Sequence, residues 1–154
     1  MADANVVVEH PNRGKPASQL TRALVILLLL ATAVLLALIT VGGWSTLEGA
    51  KPVQVLFILV YLVLAWFVAR WSRGALPMVA GLAVILGIFA AVSAPDWFAR
   101  DKAGFTDPGL SSSVLGLLCA LLVPVQAALI VIALQGFRQQ WNVEVEREPE
   151  PAVA

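Results

Sequence analysis

Pro124 and Gln126 lie in the middle of a long apolar run, and together they are the strongest candidate for chemistry in this sequence. A proline inside a helix cannot donate to the carbonyl four residues back, so Pro124 is expected to kink its helix and free the Ala120 carbonyl. A freed carbonyl near a side-chain amide is how some transporters build a binding site at membrane mid-depth. The competing expectation is that Gln126 hydrogen-bonds a neighbouring helix while the kink shapes packing. No matching break occurs elsewhere in the chain, which favours packing.

The other reactive residue types are sparse. Glu48, Asp96, Asp101 and Asp107 fall in two loops, without His or Cys beside them and without the spacing of a calcium loop, so they read as solvated charges. Cys119 is the single cysteine, which excludes an intramolecular disulfide or a cysteine cluster and leaves it as a small packing residue. His10 reads as an exposed tail residue. No Gly-rich phosphate loop, metal-binding His pair or nucleophile–base set is present, so catalytic residues, cofactor and metal are all expected to be absent. The missing thiols weigh against tetraspanin-like, claudin-like, mercury-transport and vitamin K epoxide reductase-like proteins. The missing embedded carboxylate weighs against the small multidrug resistance transporters.

What must position Gln126 is membrane helix. Of 154 residues, 60% are hydrophobic and 13% charged. Four apolar stretches, 23–41, 53–69, 76–92 and 114–134, contain no Asp, Glu, Lys, Arg or His. As helices they would be about 25–32 Å long, enough to cross a hydrocarbon layer of about 30 Å. The fold class is therefore an all-α integral membrane protein with four transmembrane helices, left-handed or mixed in its packing. A tail over 1–22 precedes a membrane domain over 23–141, and an acidic tail follows over 142–154. The first stretch is longer than a signal-peptide core and lacks a good cleavage site, so it is kept as a mature helix.

Sidedness follows from Lys and Arg beside the spans. Arg13, Lys15, Arg22, Arg70, Arg73, Arg138 and Arg147 flank one side; Lys51, Arg100 and Lys102 flank the other. That imbalance predicts both tails in the cytoplasm. Trp44 and Trp97 fall at the expected outer boundary and Trp66, Trp71 and Trp141 near the inner one, where indoles commonly anchor. A composition rich in Ala, Val, Leu and Arg with three Lys suits a bacterium with a GC-rich genome, hence an inner membrane. Lys+Arg and Asp+Glu both count ten, so nothing points to nucleic acid.

Lipid is as apolar as leucine, so close approach at small residues must hold the helices together. Ala83, Gly87 and Ala91 recur every four residues in the third span, and Gly116, Ala120, Pro124 and Ala128 in the fourth. These stripes predict a close contact between the third and fourth helices. Ser45–Glu48 and Ser93–Asp96 resemble capping boxes; the second is expected to open a short interfacial helix over 94–102. Asp107-Pro108 predicts an early start for the fourth helix. Two valine-rich segments, 5–9 and 142–146, are β-prone but marginal as an isolated pair. An echo between Pro52-Val53-Gln54 and Pro124-Val125-Gln126, each followed by Phe-x-x-x-Trp, reads as coincidence because the two prolines lie at different depths.

Small-residue stripes with empty chemistry suggest a non-catalytic accessory or structural subunit that packs with other membrane proteins or with itself in the bilayer. An oligomeric channel or small transporter element built on the kinked fourth helix is the alternative.

Overall fold

Pro16 opens the first helix at a position where its missing N–H costs nothing, and the apolar run behind it carries α1 from Pro16 to Gly42. A 3-10 turn over Glu48–Ala50 leads into α2, Lys51–Ala69, also with a proline in its first turn. A tight turn then starts α3, Ala75–Ala99, and α4 runs Ser112–Arg138. The computed structural model describes residues 6–100 and 108–148. All four helices are long and apolar enough to cross a membrane. Their outward faces are apolar too, with Leu27, Val34, Leu56, Ile88 and Val131 exposed, which is what contact with lipid rather than water asks of a bundle.

The helices do not contact one another equally. The α3–α4 contact is the most extensive, α1 packs on α2 and on α4, and α2 barely touches α3 although the two are consecutive. The section is thus a row of α2, α1, α4 and α3, bent so that a seam stays open between its ends. Along α4 the buried residues include Leu115, Cys119, Leu122, Gln126, Leu129, Ala133 and Gly136, and along α3 Leu76, Val79, Ala83, Leu86, Ala90, Ala94 and Trp97. Steps of three and four average 3.5 residues along both. That 3.5-residue period is the knobs-into-holes pattern of left-handed packing.

The tails meet. β1, Val7–Glu9, pairs antiparallel with β2, Val145–Arg147, with Val8 opposite Glu146. Two such short strands are marginal alone. Here Asn12 donates to the Gln140 carbonyl at 2.9 Å and Arg13 to the Trp141 carbonyl at 2.9 Å, tying the pair to the end of the bundle. His10 meets Glu144 at 3.1 Å, and Arg147 meets Glu9 at 3.2 Å. The pairing starts three residues later than the valine pattern suggests, because Gln140 and Val143 are spent on a turn closed by a 3.3 Å bond.

Three local expectations are corrected. No separate interfacial helix starts at Ala94: α3 continues through Pro95 to Ala99. Ala90, Ala94 and Trp97 prolong its buried face, and Trp97 lands on Gly43, so tertiary packing carries the helix past the proline. The rest of the expected 94–102 segment, Asp101 and Lys102, and the expected cap Asp107 lie outside the described residues. The fourth helix starts at Ser112, not near Pro108. Ser111 accepts from the Val114 amide at 3.4 Å, while Leu110 covers Gly42 and donates its amide to the Gly42 carbonyl at 3.0 Å, which holds the preceding chain out of the helix. The Ser45–Glu48 box does not form: Ser45 and Thr46 lie in a turn where the Thr46 and Leu47 amides bond the Gly43 carbonyl, and the helical turn starts only at Glu48, capped by Leu47 without a side-chain bond.

Candidate functional site: a buried amide, an arginine-capped end and an open seam

Gln126 is 1% exposed, and α4 aims its amide between α1 and α2. Tyr61 of α2 donates its hydroxyl to Gln126 Oε1 at 2.8 Å, and Gln126 Nε2 donates to Thr32 Oγ1 of α1 at 3.0 Å. Thr32 passes its own proton to the Leu28 carbonyl at 2.8 Å. Every hydroxyl proton in this chain of bonds has one acceptor, so the network is internally consistent. On the fourth side, a Cβ placed on Gly87 of α3 would stand 3.4 Å from Gln126 Cβ, so the glycine brings α3 against the amide stem. One side chain therefore touches all four helices. Pro124 is exposed, and α4 is continuous through it; two residues apart on a helix, Pro124 and Gln126 face nearly opposite ways.

The small residues expected at the α3–α4 contact divide. Ala83 and Gly116 are buried, Gly87, Ala120 and Ala128 are half-buried, and Ala91 is exposed. A strict four-residue step drifts off a face whose true step is 3.5, and Ala91 is where the drift ends. Gly116 meets the Phe98 ring, which would stand 3.1 Å from a Cβ there.

A second polar centre lies at the tail end. Two helices stop here with a bulky residue in left-handed conformation, Trp71 at φ 63° and Gln140 at φ 51°. After α2 the Trp71 amide bonds the Val68 carbonyl at 3.0 Å and the Ser72 amide the Phe67 carbonyl at 3.1 Å, the double bond of a Schellman stop. Trp71 and Trp141 then meet edge to face at 5.2 Å. The two Phe-x-x-x-Trp segments thus close α2 and α4 at the same end of the bundle, where their tryptophans meet, a role that their sequence echo alone does not disclose. Arginines serve the exposed carbonyls: Arg22 donates to Ala69 and lies over the Trp71 ring, and Arg73 donates to Phe137 at 2.9 Å. Cations at helix C-termini also face the negative end of the helix dipole. Trp141, fully buried, donates to Gln139 at 3.1 Å; Gln139 reaches Thr21 at 2.9 Å, and Thr21 reaches the Ala17 carbonyl at 2.8 Å. Trp97 and Trp141 are therefore plugs inside the two ends of the bundle, while Trp44 and Trp66, 50% and 53% exposed, remain in anchor positions.

At the opposite end the α2–α3 seam opens into a cavity of about 300 Å³, with Leu36, Phe57, Leu86, Ala90 and Cys119 on its walls. A polar pocket of about 280 Å³ adjoins it, bearing Thr46, Glu48, Asp96 and Arg100. Leu47, Ala50, Ser93 and Trp97 line both. Near its rim Thr40 Oγ1 lies 2.6 Å from both the Leu36 carbonyl and Gln54 Oε1. One hydroxyl proton cannot serve two acceptors, so the consistent assignment turns the Gln54 amide over to donate to Thr40. Glu48 and Asp96 are thus neighbours of this opening, whereas Asp101 and Asp107 lie outside the described residues. Among the described residues no three His, Cys, Asp or Glu side chains gather as metal ligands.

Sequence reasoning passed over Tyr61 and Thr32 as partners of Gln126. The signal was present in outline: Tyr61 is the single tyrosine, and its hydroxyl inside an apolar span needs an acceptor. No family model matches the chain, and no curated protein or solved structure matches it either.

Proposed function

We propose that this chain is a non-catalytic structural or accessory subunit of a membrane assembly, seated in a bacterial inner membrane with both tails in the cytoplasm. The observation that carries the reading is the engagement of Gln126 at both ends of its amide: its oxygen accepts from Tyr61 and its nitrogen donates to Thr32. The amide best placed to serve a passing solute is spent on holding helices together. With no charged side chain in the spans, the remaining mid-depth hydroxyl, that of Thr32, is likewise turned to its own helix backbone. The side bearing most Arg and Lys supports the orientation. Apolar residues around the whole bundle are compatible with either lipid or subunit neighbours.

The test is capture of the tagged chain from membranes in mild detergent, followed by sizing and mass determination of the complex. A stoichiometric membrane-protein partner is the expected result. Purified chain in liposomes that carries a solute flux, lost in a folded Gln126→Leu variant, overturns the reading in favour of a transport element.

A further inference from the structure

We propose that the open end of the α2–α3 seam is a phospholipid site, taking one acyl chain into the apolar cavity and a headgroup with both phosphate and primary ammonium into the polar pocket. The proposal rests on the reading of the chain as a membrane protein, and it goes beyond a subunit role.

Shape argues for a chain rather than a helix. Phe57 of α2 and Phe89 of α3 meet edge to face at 6.4 Å across the opening. Both rings line the cavity of about 300 Å³, and their contact narrows its opening against a partner helix, which is about 10–12 Å across. From Trp97 to Leu86 the cavity follows α3 for about 16 Å, near half of a hydrocarbon layer of about 30 Å, so its depth suits one leaflet. Its volume of about 300 Å³ lies at the lower limit of ligand pockets.

Charge argues for the headgroup. Glu48, Asp96 and Arg100 share the polar pocket, and none forms an ion pair among the described residues. Arg100 lines the polar pocket and stands 5.6 Å over the ring of Trp97, a residue common to both cavities, so a lipid phosphate in the polar pocket would have the guanidinium close to the junction. Two carboxylates beside it suit an ammonium that can donate hydrogen bonds. Thr46 lines the same pocket, and its Oγ1 is buried without a partner just beneath the surface. An anionic headgroup would satisfy Arg100 but face both carboxylates; a quaternary ammonium would meet the carboxylates without donating to them.

The experiment is native mass spectrometry of the full chain released from nanodiscs holding equal amounts of phosphatidylethanolamine, phosphatidylglycerol and phosphatidylcholine with identical acyl chains. One retained phosphatidylethanolamine per chain is expected, favoured about tenfold over the other two, the size of one charge-assisted hydrogen bond. Arg100→Gln should lower retention by about tenfold on the same grounds. Ser93→Phe, placed where the two cavities join, should remove the lipid, whereas Met78→Phe at the other end of the seam should change nothing. Equal retention of all three headgroups, or unchanged retention in Arg100→Gln, overturns the proposal. So does a lipid-free mass that reports a second copy or a partner protein in its place. Arg100 and Glu48 are exposed, so Arg100→Gln and Glu48→Gln keep the test decisive if Ser93→Phe does not fold.

Discussion

Tyr61 and Gln126 meet in the middle of an otherwise apolar core, and their bond is the most direct link between α2 and α4. Hydrogen bonds between membrane helices are worth about 0.6 kcal/mol on average and at most about 1.7 kcal/mol. A double-mutant cycle with Tyr61→Phe and Gln126→Leu, read by reversible unfolding in mixed micelles, should return a coupling in that range. A coupling near zero would detach the two residues. Gln126→Leu should be milder than a buried amide suggests, because Thr32 loses only the bond it accepts and keeps its donation to the Leu28 carbonyl, which leaves Tyr61 as the one unpaired donor. At this scale the sequence is legible for what a residue needs and illegible for what supplies it. That Gln126 must find a partner follows from its depth. That the partners are Tyr61 and Thr32, 65 and 94 residues away, depends on helix rotations that only the assembled core fixes.

Helices are the scale at which the sequence speaks most plainly, since a hydrocarbon layer demands long uncharged stretches and the chain supplies four. Their ends are not legible in the same way. Where α4 begins depends on Leu110 covering Gly42, and where α3 stops depends on Trp97 resting on Gly43; neither contact leaves a local pattern. Packing between helices hangs on glycines, and they should not respond alike. A Cβ on Gly136 would stand 3.2 Å from Leu76, Thr21 and Trp141 at once, all of them enclosed in the bundle. Gly136→Ala should therefore overpack the tail end and cost about 1–3 kcal/mol. Gly87→Ala meets Gln126 Cβ only at ordinary contact distance, 3.4 Å, and should gain up to about 1 kcal/mol from helix propensity. Gly116→Ala presses on Phe98, an exposed ring free to swing aside, and should fall between them. Thermal unfolding of the three variants gives the order, and a Gly136→Ala protein as stable as Gly87→Ala would contradict it.

For the whole molecule, the arginine-rich end gathers the two tails and the α2–α3 connection. The paired tails, the α2–α3 turn and the stops of two helices gather there around Trp71 and Trp141. This arrangement gives arginines a structural reason to lie at one end, separate from any rule of membrane insertion. Arg13, Arg22 and Arg73 each hold a backbone carbonyl, so the count that predicts orientation includes residues that the fold needs in place. Orientation must therefore be tested apart from tail pairing, in a Cys119→Ser background. Cysteines at Val8 and Glu146, opposite each other in the strand pair, should cross-link on mild oxidation and so tie the two ends of the chain on one side of the bundle. Failure to cross-link in the folded protein would mean that the strands are not paired. Single cysteines then decide which side that is. Those at Gly74, beside the arginine-rich turn, should be silent to an impermeant reagent applied outside cells, and those at Gly49, at the opposite end, should react. Because three of the arginines are held by local contacts, replacing Arg70, which lies over the exposed Trp66 ring, should not by itself invert the labelling. Reaction at Gly74 with silence at Gly49 would leave the fold intact and place both tails outside.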